Sequence, residues 1–105
     1  MSDIAIVYAT FPDREVAQQV AETIVAERLA ACANVMGDCM SVYRWQGDIA
    51  RDGETPVLFK TAIALATPLR ERIEALHPYD LAVAEAWSAG VGDAVFDWVA
   101  RETGD

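Results

Sequence analysis

The sequence predicts an α+β fold, with one antiparallel sheet and helices packed on one of its faces, in the order β-α-β-β-α-β plus a terminal helix. Residues 4–9 are almost entirely apolar, as expected for a central strand covered on both faces. Two later segments repeat apolar residues every three to four positions, which is typical of amphipathic helices. Residues 29–61 hold two strand-like runs on either side of a Gln-Gly pair, which predicts a long hairpin.

The first helix is expected to begin after Asp13, whose carboxylate can cap the free backbone N–H groups of the first turn. Val16, Val20 and Ile24 recur at helical spacing and should face the core. The apolar pattern continues to about Leu29, where we expect the helix to end.

The long hairpin is the segment around which the rest of the chain should pack. Residues 41–45 are rich in β-branched and aromatic side chains, and Gly47 follows where a tight turn needs a positive φ. Because Pro56 cannot donate a ladder hydrogen bond, it should lie at an edge or a bulge of the returning strand. A hairpin of this length would project from a small domain, and its exposed edge needs a partner, which we expect to be another copy of the chain.

The second half of the chain predicts a helix, a strand and a terminal helix. Thr67 can cap the second helix, and His77 ends it because a proline follows. Residues 81–87 are expected to form the last strand, residues 90–92 a loop, and Asp93 the cap of the final helix. This order matches a ferredoxin-like sandwich in a single domain that spans residues 1–105.

Composition excludes several classes of function. The chain has 17 acidic and 8 basic residues, a net charge of −9, which argues against nucleic acid as a partner. No apolar run approaches the roughly 20 residues of a membrane span, and we expect no signal peptide. Two cysteines are too few for a disulfide scaffold and fit a reducing cytoplasm. The hydrophobic fraction of 53% predicts either a dense core or apolar surface shared between subunits.

Any imidazole ligand for a metal would have to be His77, the only histidine. A structural role at the helix end and a role as a metal ligand are both open. As a ligand, His77 would need partners from elsewhere in the fold or from a neighbouring subunit, and the candidates are Cys32, Glu85 and Glu54. Alanines flank Cys32, which favours a small buried side chain over a Cu(I) ligand.

Three sulfur atoms occur close together at Met36, Cys39 and Met40. Thioethers and thiolates are the ligands that Cu(I) favours. In a regular strand the two methionines would face away from Cys39, but a bulge at Gly37 would bring them together. The alternative is that the methionines fill a gap in an interface.

A ligand cleft is suggested by the aromatic residues Trp45, Tyr43 and Tyr79, with Lys60 as a contact for a small anion. The alternative is packing between subunits, where Trp and Tyr are common. We expect Lys60 to pair with a carboxylate. Motifs of hydrolases, phosphate loops and redox sites are missing, so the sequence predicts a binding protein and not an enzyme.

Several fragments together resemble the CutA-type divalent-cation tolerance proteins. They are Leu-Ala-Ala-Cys-Ala-Asn at residues 29–34, Ser-Val-Tyr at 41–43, Trp-Gln-Gly at 45–47, Glu54, Lys-Thr at 60–61 and His-Pro-Tyr at 77–79. The resemblance implies a ferredoxin-like protomer in a homotrimer, in which the hairpins and the strand after His-Pro-Tyr pair between subunits. It also implies a link to tolerance of copper and other divalent cations, with no settled enzymatic activity.

The chain departs from this family pattern at positions that bear on metal binding. Family members commonly have Pro-Glu where this chain has Ala82 and Val83, and some have Cys at the position of Ala9. Two functional hypotheses follow. The first is a cytoplasmic trimer that binds copper or another divalent cation weakly. The second is a PII-like trimer that senses a small ligand or binds a protein partner without a metal role.

Overall fold

The computed structural model describes residues 2–104. Within this range the strands are β1 (Ser2–Phe11), β2 (Cys32–Val35), β3 (Cys39–Trp45), β4 (Asp48–Thr61) and β5 (Ala84–Val91). The helices are α1 (Arg14–Ala26), α2 (Ala66–Leu76) and α3 (Asp93–Glu102), with a short 3-10 turn (Ile63–Leu65) before α2. The predicted α+β fold is confirmed.

The strands form one antiparallel sheet with the order β2-β4-β1-β5, and β3 pairs with the distal part of β4. β1 is central: its Val7 lies opposite Phe59 of β4 on one side and Ala86 of β5 on the other. This position agrees with the uninterrupted apolar pattern of the first strand.

One face of the sheet packs against α1 and α2 to form the main core. Phe11 and Phe59 are completely buried there, and full burial of such a side chain stabilises a fold by about 1.5–3 kcal/mol. The same cluster includes Val7, Ala9, Val57, Ile24, Leu69 and Ile73. Asp13 accepts a hydrogen bond from the Val16 amide at 2.9 Å, so the predicted cap of α1 is confirmed.

The opposite face of the sheet is covered by α3 near the start of β1. Ile4 and Ile6 are buried there against Val99. Since alternate residues of a strand share a face, Tyr8 and Thr10 continue this row toward the far end of β1. That end of the sheet holds the candidate site.

The hairpin closes as the sequence predicts. Gln46 and Gly47 form a two-residue turn with φ values of 50° and 88°, which gives a hairpin the twist that its strands need. The molecule measures 45 × 25 × 23 Å. Exposed apolar side chains follow the hairpin, among them Met40, Val42 and Ile49.

The strand before the turn is interrupted around Gly37, where the sequence analysis left a regular strand and a bulge both open. Val35 lies opposite Val57 and Cys39 lies opposite Glu54, so three residues on one side face two on the other. This is a bulge. The Pro56 carbonyl accepts from the Met36 amide at 2.9 Å, so the side of proline that lacks an N–H faces the interruption. The prediction that Pro56 lies at a bulge is confirmed.

Helix α1 ends three residues earlier than expected. Arg28 has a φ of 63°, and the amides of Arg28 and Leu29 bond back to the carbonyls of Val25 and Ile24. This pattern of bonds around a left-handed residue terminates helices. The Arg28 guanidinium also donates to the carbonyls of residues 101 and 104 at 2.7 and 2.9 Å, which fixes the chain after α3.

Three further boundaries differ from the sequence prediction. α2 begins at Ala66 without a side-chain cap, because the preceding 3-10 turn already bonds Leu65 to Ala62. The expected cap Thr67 is inside the helix. The last strand is Ala84–Val91 and not residues 81–87, since its pairing with β1 extends to Ser2 opposite Val91. Gly92 precedes α3, so the predicted cap Asp93 is its first residue.

Candidate functional site: a groove between the hairpin and the His-Pro-Tyr corner

A groove with a volume of about 860 Å³ lies between the hairpin and the segment that follows α2. Hairpin residues 41–45 and 52–54 form one wall, and residues 77–81 with Val83 form the other. Thr10 and Pro12, at and just beyond the end of β1, complete the lining. Of the predicted site residues, the structure brings Trp45, Tyr43, Tyr79, His77 and Glu54 to this groove; they come from three segments of the sequence, residues 43–45, residue 54 and residues 77–79.

The imidazole of His77 is held at the inner end of the groove and is only 8% exposed. Its Nδ1 accepts from the Tyr79 amide at 3.1 Å, so its Nε2 carries the proton and donates to the Thr10 carbonyl at 2.7 Å. The ring stacks on Phe11 with a centroid separation of 4.8 Å, and Tyr79 lies 4.7 Å away at a tilted angle. Both ring nitrogens are therefore engaged.

This arrangement constrains metal binding by His77. A metal needs a free lone pair on an imidazole nitrogen. The lone pair of Nδ1 faces the Tyr79 amide, and Nε2 would have to lose its proton and its bond to Thr10. Copper could bind this ring only after one of the two hydrogen bonds is broken.

Glu54 is a buried carboxylate in the wall of the groove, with 8% of its surface exposed. Its Oε2 accepts from the Thr10 hydroxyl at 3.1 Å and from the Tyr79 hydroxyl at 3.3 Å. Glu54 therefore connects β1, the hairpin and the His-Pro-Tyr corner through one oxygen atom.

The phenols of the groove lie beside carboxylates. Burial, the charge of Glu54 and the hydrogen bond to it raise the pKa of Tyr79 to about 12. The hydroxyl of Tyr43 donates to Asp52, and this bond is the main reason that the pKa of Tyr43 is raised. Both phenols are held in the neutral, donating form.

Formal charge in the groove is predominantly negative. Its lining includes three acidic residues, Asp52, Glu54 and Asp80, and one basic residue, Arg44. The low dielectric of a partly enclosed wall strengthens the field of the buried Glu54. The groove therefore favours positively charged molecules.

Three predicted site residues lie outside the groove, on the sheet. Cys32 and Lys60 are directly opposite each other on β2 and β4, and Glu85 lies opposite Tyr8 on β5. No carboxylate within residues 2–104 lies at ion-pairing distance from Lys60. The expected ion pair of Lys60 is therefore wrong for the single protomer, since its cross-strand neighbours are Cys32 and Ile6.

The predicted metal ligands do not converge within one protomer. Among residues 2–104, no group of three or more His, Cys, Asp or Glu side chains is placed to hold a metal ion. Of the sulfur residues around the bulge, Met36 and Met40 are 41% and 67% exposed, whereas Cys39 is half-buried. The Cys39 thiol lies 3.9 Å from the Ser41 hydroxyl.

Sequence reasoning missed Thr10, Asp52 and Tyr8. The carbonyl and hydroxyl of Thr10 hold His77 and Glu54, and Asp52 holds Tyr43. Burial, and then the charges of Cys39, Glu85 and Glu54, raise the pKa of Tyr8. The available signal was the period of two along β1, which places Tyr8 and Thr10 on one face.

The groove and fold can be compared with known proteins. A family model described as the CutA1 divalent ion tolerance protein matches residues 5–102. The chain belongs to the CutA1 family. The divalent-cation tolerance protein CutA of Thermus thermophilus is 40% identical over 100 residues, which cover 94% of this chain and 97% of the relative. That of Pyrococcus horikoshii is 41% identical over 99 residues, which cover 93% and 96%.

Solved CutA structures share the fold. The crystal structure of CutA from Xylella fastidiosa superposes with a TM-score of 0.92 at 36% identity and covers 98% of this chain and 100% of that one. The resemblance inferred from sequence fragments is thus confirmed. Within the part of the chain that the structure describes, no helix is long and apolar enough to cross a bilayer.

The two departures from the CutA1 pattern lie in different environments. Val83, where the pattern commonly has Glu, is 62% exposed and lines the groove. Ala9 is 1% exposed and belongs to the core under the helices. Of these two departures, only Val83 lies in the groove, where it adds an apolar side chain.

Proposed function

We propose that this CutA1-family chain acts in the cytoplasm as a homotrimer of ferredoxin-like protomers that responds to divalent cations by weak binding, without catalysis. The observation that carries the proposal is the match to the divalent ion tolerance family over residues 5–102. The names of the relatives refer to divalent-cation tolerance as well. The strand order β2-β4-β1-β5 supports the ferredoxin-like description of the protomer.

Self-association is supported by two unpaired strand edges. Among residues 2–104, β5 pairs only with β1, and the hairpin part of β4 pairs only with β3. Exposed strand edges are templates for pairing with another chain. Two different edges on one protomer make a head-to-tail contact, which generates a ring when the rotation closes. Exposed Trp87 lies on β5 and would become buried in such a contact.

Copper or another divalent cation is proposed to bind His77 weakly, with Cys32 or Glu85 supplied by a neighbouring subunit. Within one protomer, Cys32 and Glu85 lie on the sheet and not in the groove. Binding is expected to be weak, because the metal must replace a hydrogen bond of the imidazole.

Two measurements test this proposal. Light scattering at micromolar concentration should give three times the protomer mass, and a monomer mass would refute the trimer. Titration with Cu(II) and Cu(I) should show binding that is lost in His77→Ala and reduced in a Cys32/Cys39 double substitution. The N-terminal amine must be blocked in all samples, since it binds Cu(II) itself. Binding that is unchanged in both variants would refute the proposed ligands.

A second candidate function is a PII-like trimer whose groove binds a small ligand or a protein partner. The groove supports it, because aromatic walls and a few fixed polar groups are typical of small-molecule sites. A titration with copper does not test this function. A small ligand would support it if it binds to wild type and to His77→Ala with equal affinity but not to a variant of a groove residue such as Trp45.

A further inference from the structure

The groove combines two features that attract a cation by independent mechanisms. Three aromatic side chains of its lining retain a large exposed surface: Trp45 at 45%, and Tyr43 and Tyr79 at 41% each. The electron-rich faces of such rings attract ammonium and guanidinium groups. The second feature is the carboxylate of Glu54.

Glu54 is placed to receive a donor from a ligand. Both hydrogen bonds that it accepts, from Thr10 and Tyr79, end on Oε2. Within residues 2–104, no donor reaches its Oε1. Because Oε1 keeps some solvent-accessible surface, it can accept a charge-assisted hydrogen bond from a ligand.

We propose that the groove binds an organic cation, a protonated amine on an apolar body, with the ammonium at Glu54 and the body against Trp45. This inference rests on the second candidate function and specifies the chemical class of its ligand. Exposed Leu81 and Val83 provide apolar surface for the body of the ligand.

Charge in the single protomer disfavours the small anion that the sequence suggested for this groove. An anion would face Asp52, Glu54 and Asp80, against the single guanidinium of Arg44. Lys60, the predicted contact for an anion, is not part of the lining. A bare metal ion is also disfavoured, because no three ligand side chains within the described residues converge.

Arg44 is the one basic residue of the lining, on the strand face opposite to Tyr43 and Trp45. Its guanidinium has no carboxylate at ion-pairing distance among residues 2–104. It would repel a bound amine, so removal of its charge should strengthen binding. This gives the proposal a variant with an effect of the opposite sign.

The test is calorimetric titration of the full-length protein with three probes of similar shape: benzylamine, benzyl alcohol and benzoate. Benzylamine should bind about tenfold or more tightly than benzyl alcohol, since a hydrogen bond to a charged group contributes about 1.5–3 kcal/mol. Benzoate should not bind. Equal affinity for the alcohol, or tighter binding of benzoate, would overturn the proposal.

Variants locate the binding. Glu54→Gln keeps an acceptor for Thr10 and Tyr79 but removes the charge, so affinity for benzylamine should fall about tenfold or more. Glu22→Gln removes an exposed charge on α1, away from the groove, and should bind like wild type. Arg44→Gln should bind more tightly. If Glu54→Gln does not fold, Trp45→Leu provides a second variant near the exposed tip of the hairpin, and it should also weaken binding.

Further outcomes separate this inference from the proposed functions. Equal binding by Glu54→Gln and Glu22→Gln, or no binding of benzylamine at millimolar concentration, would overturn it. Displacement of benzylamine by copper in stoichiometric amounts would overturn it in favour of a metal site in the groove. The mass of each sample, measured in parallel, tests the trimer independently of any ligand.

Discussion

Replacement of His77 by phenylalanine should destabilise the fold by about 1–3 kcal/mol, because the new ring can stack on Phe11 but cannot donate to the Thr10 carbonyl. Thr10 lies one residue beyond Ala9, the last β1 residue that pairs with β5. The imidazole N–H therefore takes the place of a ladder donor. A buried carbonyl left without a donor accounts for the whole expected cost.

The other hydrogen bond of the imidazole contributes less to this estimate. Tyr79, whose amide donates to Nδ1, is 41% exposed, so water can replace the acceptor. His77→Ala should be more destabilising than His77→Phe by about 0.5–1.5 kcal/mol, because it also loses the stacking on Phe11.

Urea unfolding at one fixed protomer concentration measures both variants, since the stability of an oligomer depends on concentration. The midpoint should fall while the slope stays constant. Asp80→Asn, an exposed substitution three residues away, should change stability by less than about 0.5 kcal/mol. A His77→Phe protein as stable as wild type would refute the structural role of the imidazole, and a simultaneous loss of copper binding would identify it as a free ligand.

Three further predictions concern other parts of the fold. The phenol of Tyr79 has a pKa of about 12 in the folded protein and 10.0 in the unfolded chain. The stabilisation that the protonated phenol provides is therefore present below pH 10 and is lost as the pH rises toward 12. The alkaline fall of the urea midpoint should therefore be steeper in wild type than in Tyr79→Phe. Arg28→Ala should lower the free energy of unfolding by about 1–3 kcal/mol, because it loses two hydrogen bonds to the chain after α3. Arg28→Gly should lower it by about 1 kcal/mol less, because glycine tolerates the φ of 63°. Equal unfolding midpoints for the two variants would contradict this. Gly47→Ala at the φ of 88° should cost about 1 kcal/mol in the same assay, and no change would count against the strained turn.

Local patterns were sufficient to predict most of the fold. The cap at Asp13, the turn at Gly47 and the bulge at Pro56 each depend on a property of one residue: a short carboxylate, freedom at positive φ, or a missing N–H. The end of α1 was not predictable in this way. Arg28 takes a conformation that usually needs glycine, and contacts of its guanidinium with a segment more than seventy residues away stabilise that conformation.

The groove was predicted only in part, because its polar partners are set by tertiary contacts. Trp45, Tyr79 and His77 stand out by residue type. Thr10 and Asp52 do not, and their roles follow from the bonds to His77 and Tyr43. The engagement of both imidazole nitrogens, which decides how His77 can bind a metal, has no signature in the sequence.

One placement could have been derived from the predicted hairpin alone. Once the turn is at residues 46–47, Trp45 pairs with Asp48, and Lys60 lies twelve residues farther along the same strand. At about 3.3 Å per residue, this separation is roughly 40 Å, nearly the full 45 Å length of the molecule. A small ligand that touches Trp45 therefore cannot reach Lys60 of the same protomer. If Lys60 takes part in such a site, a second copy of the chain must supply it.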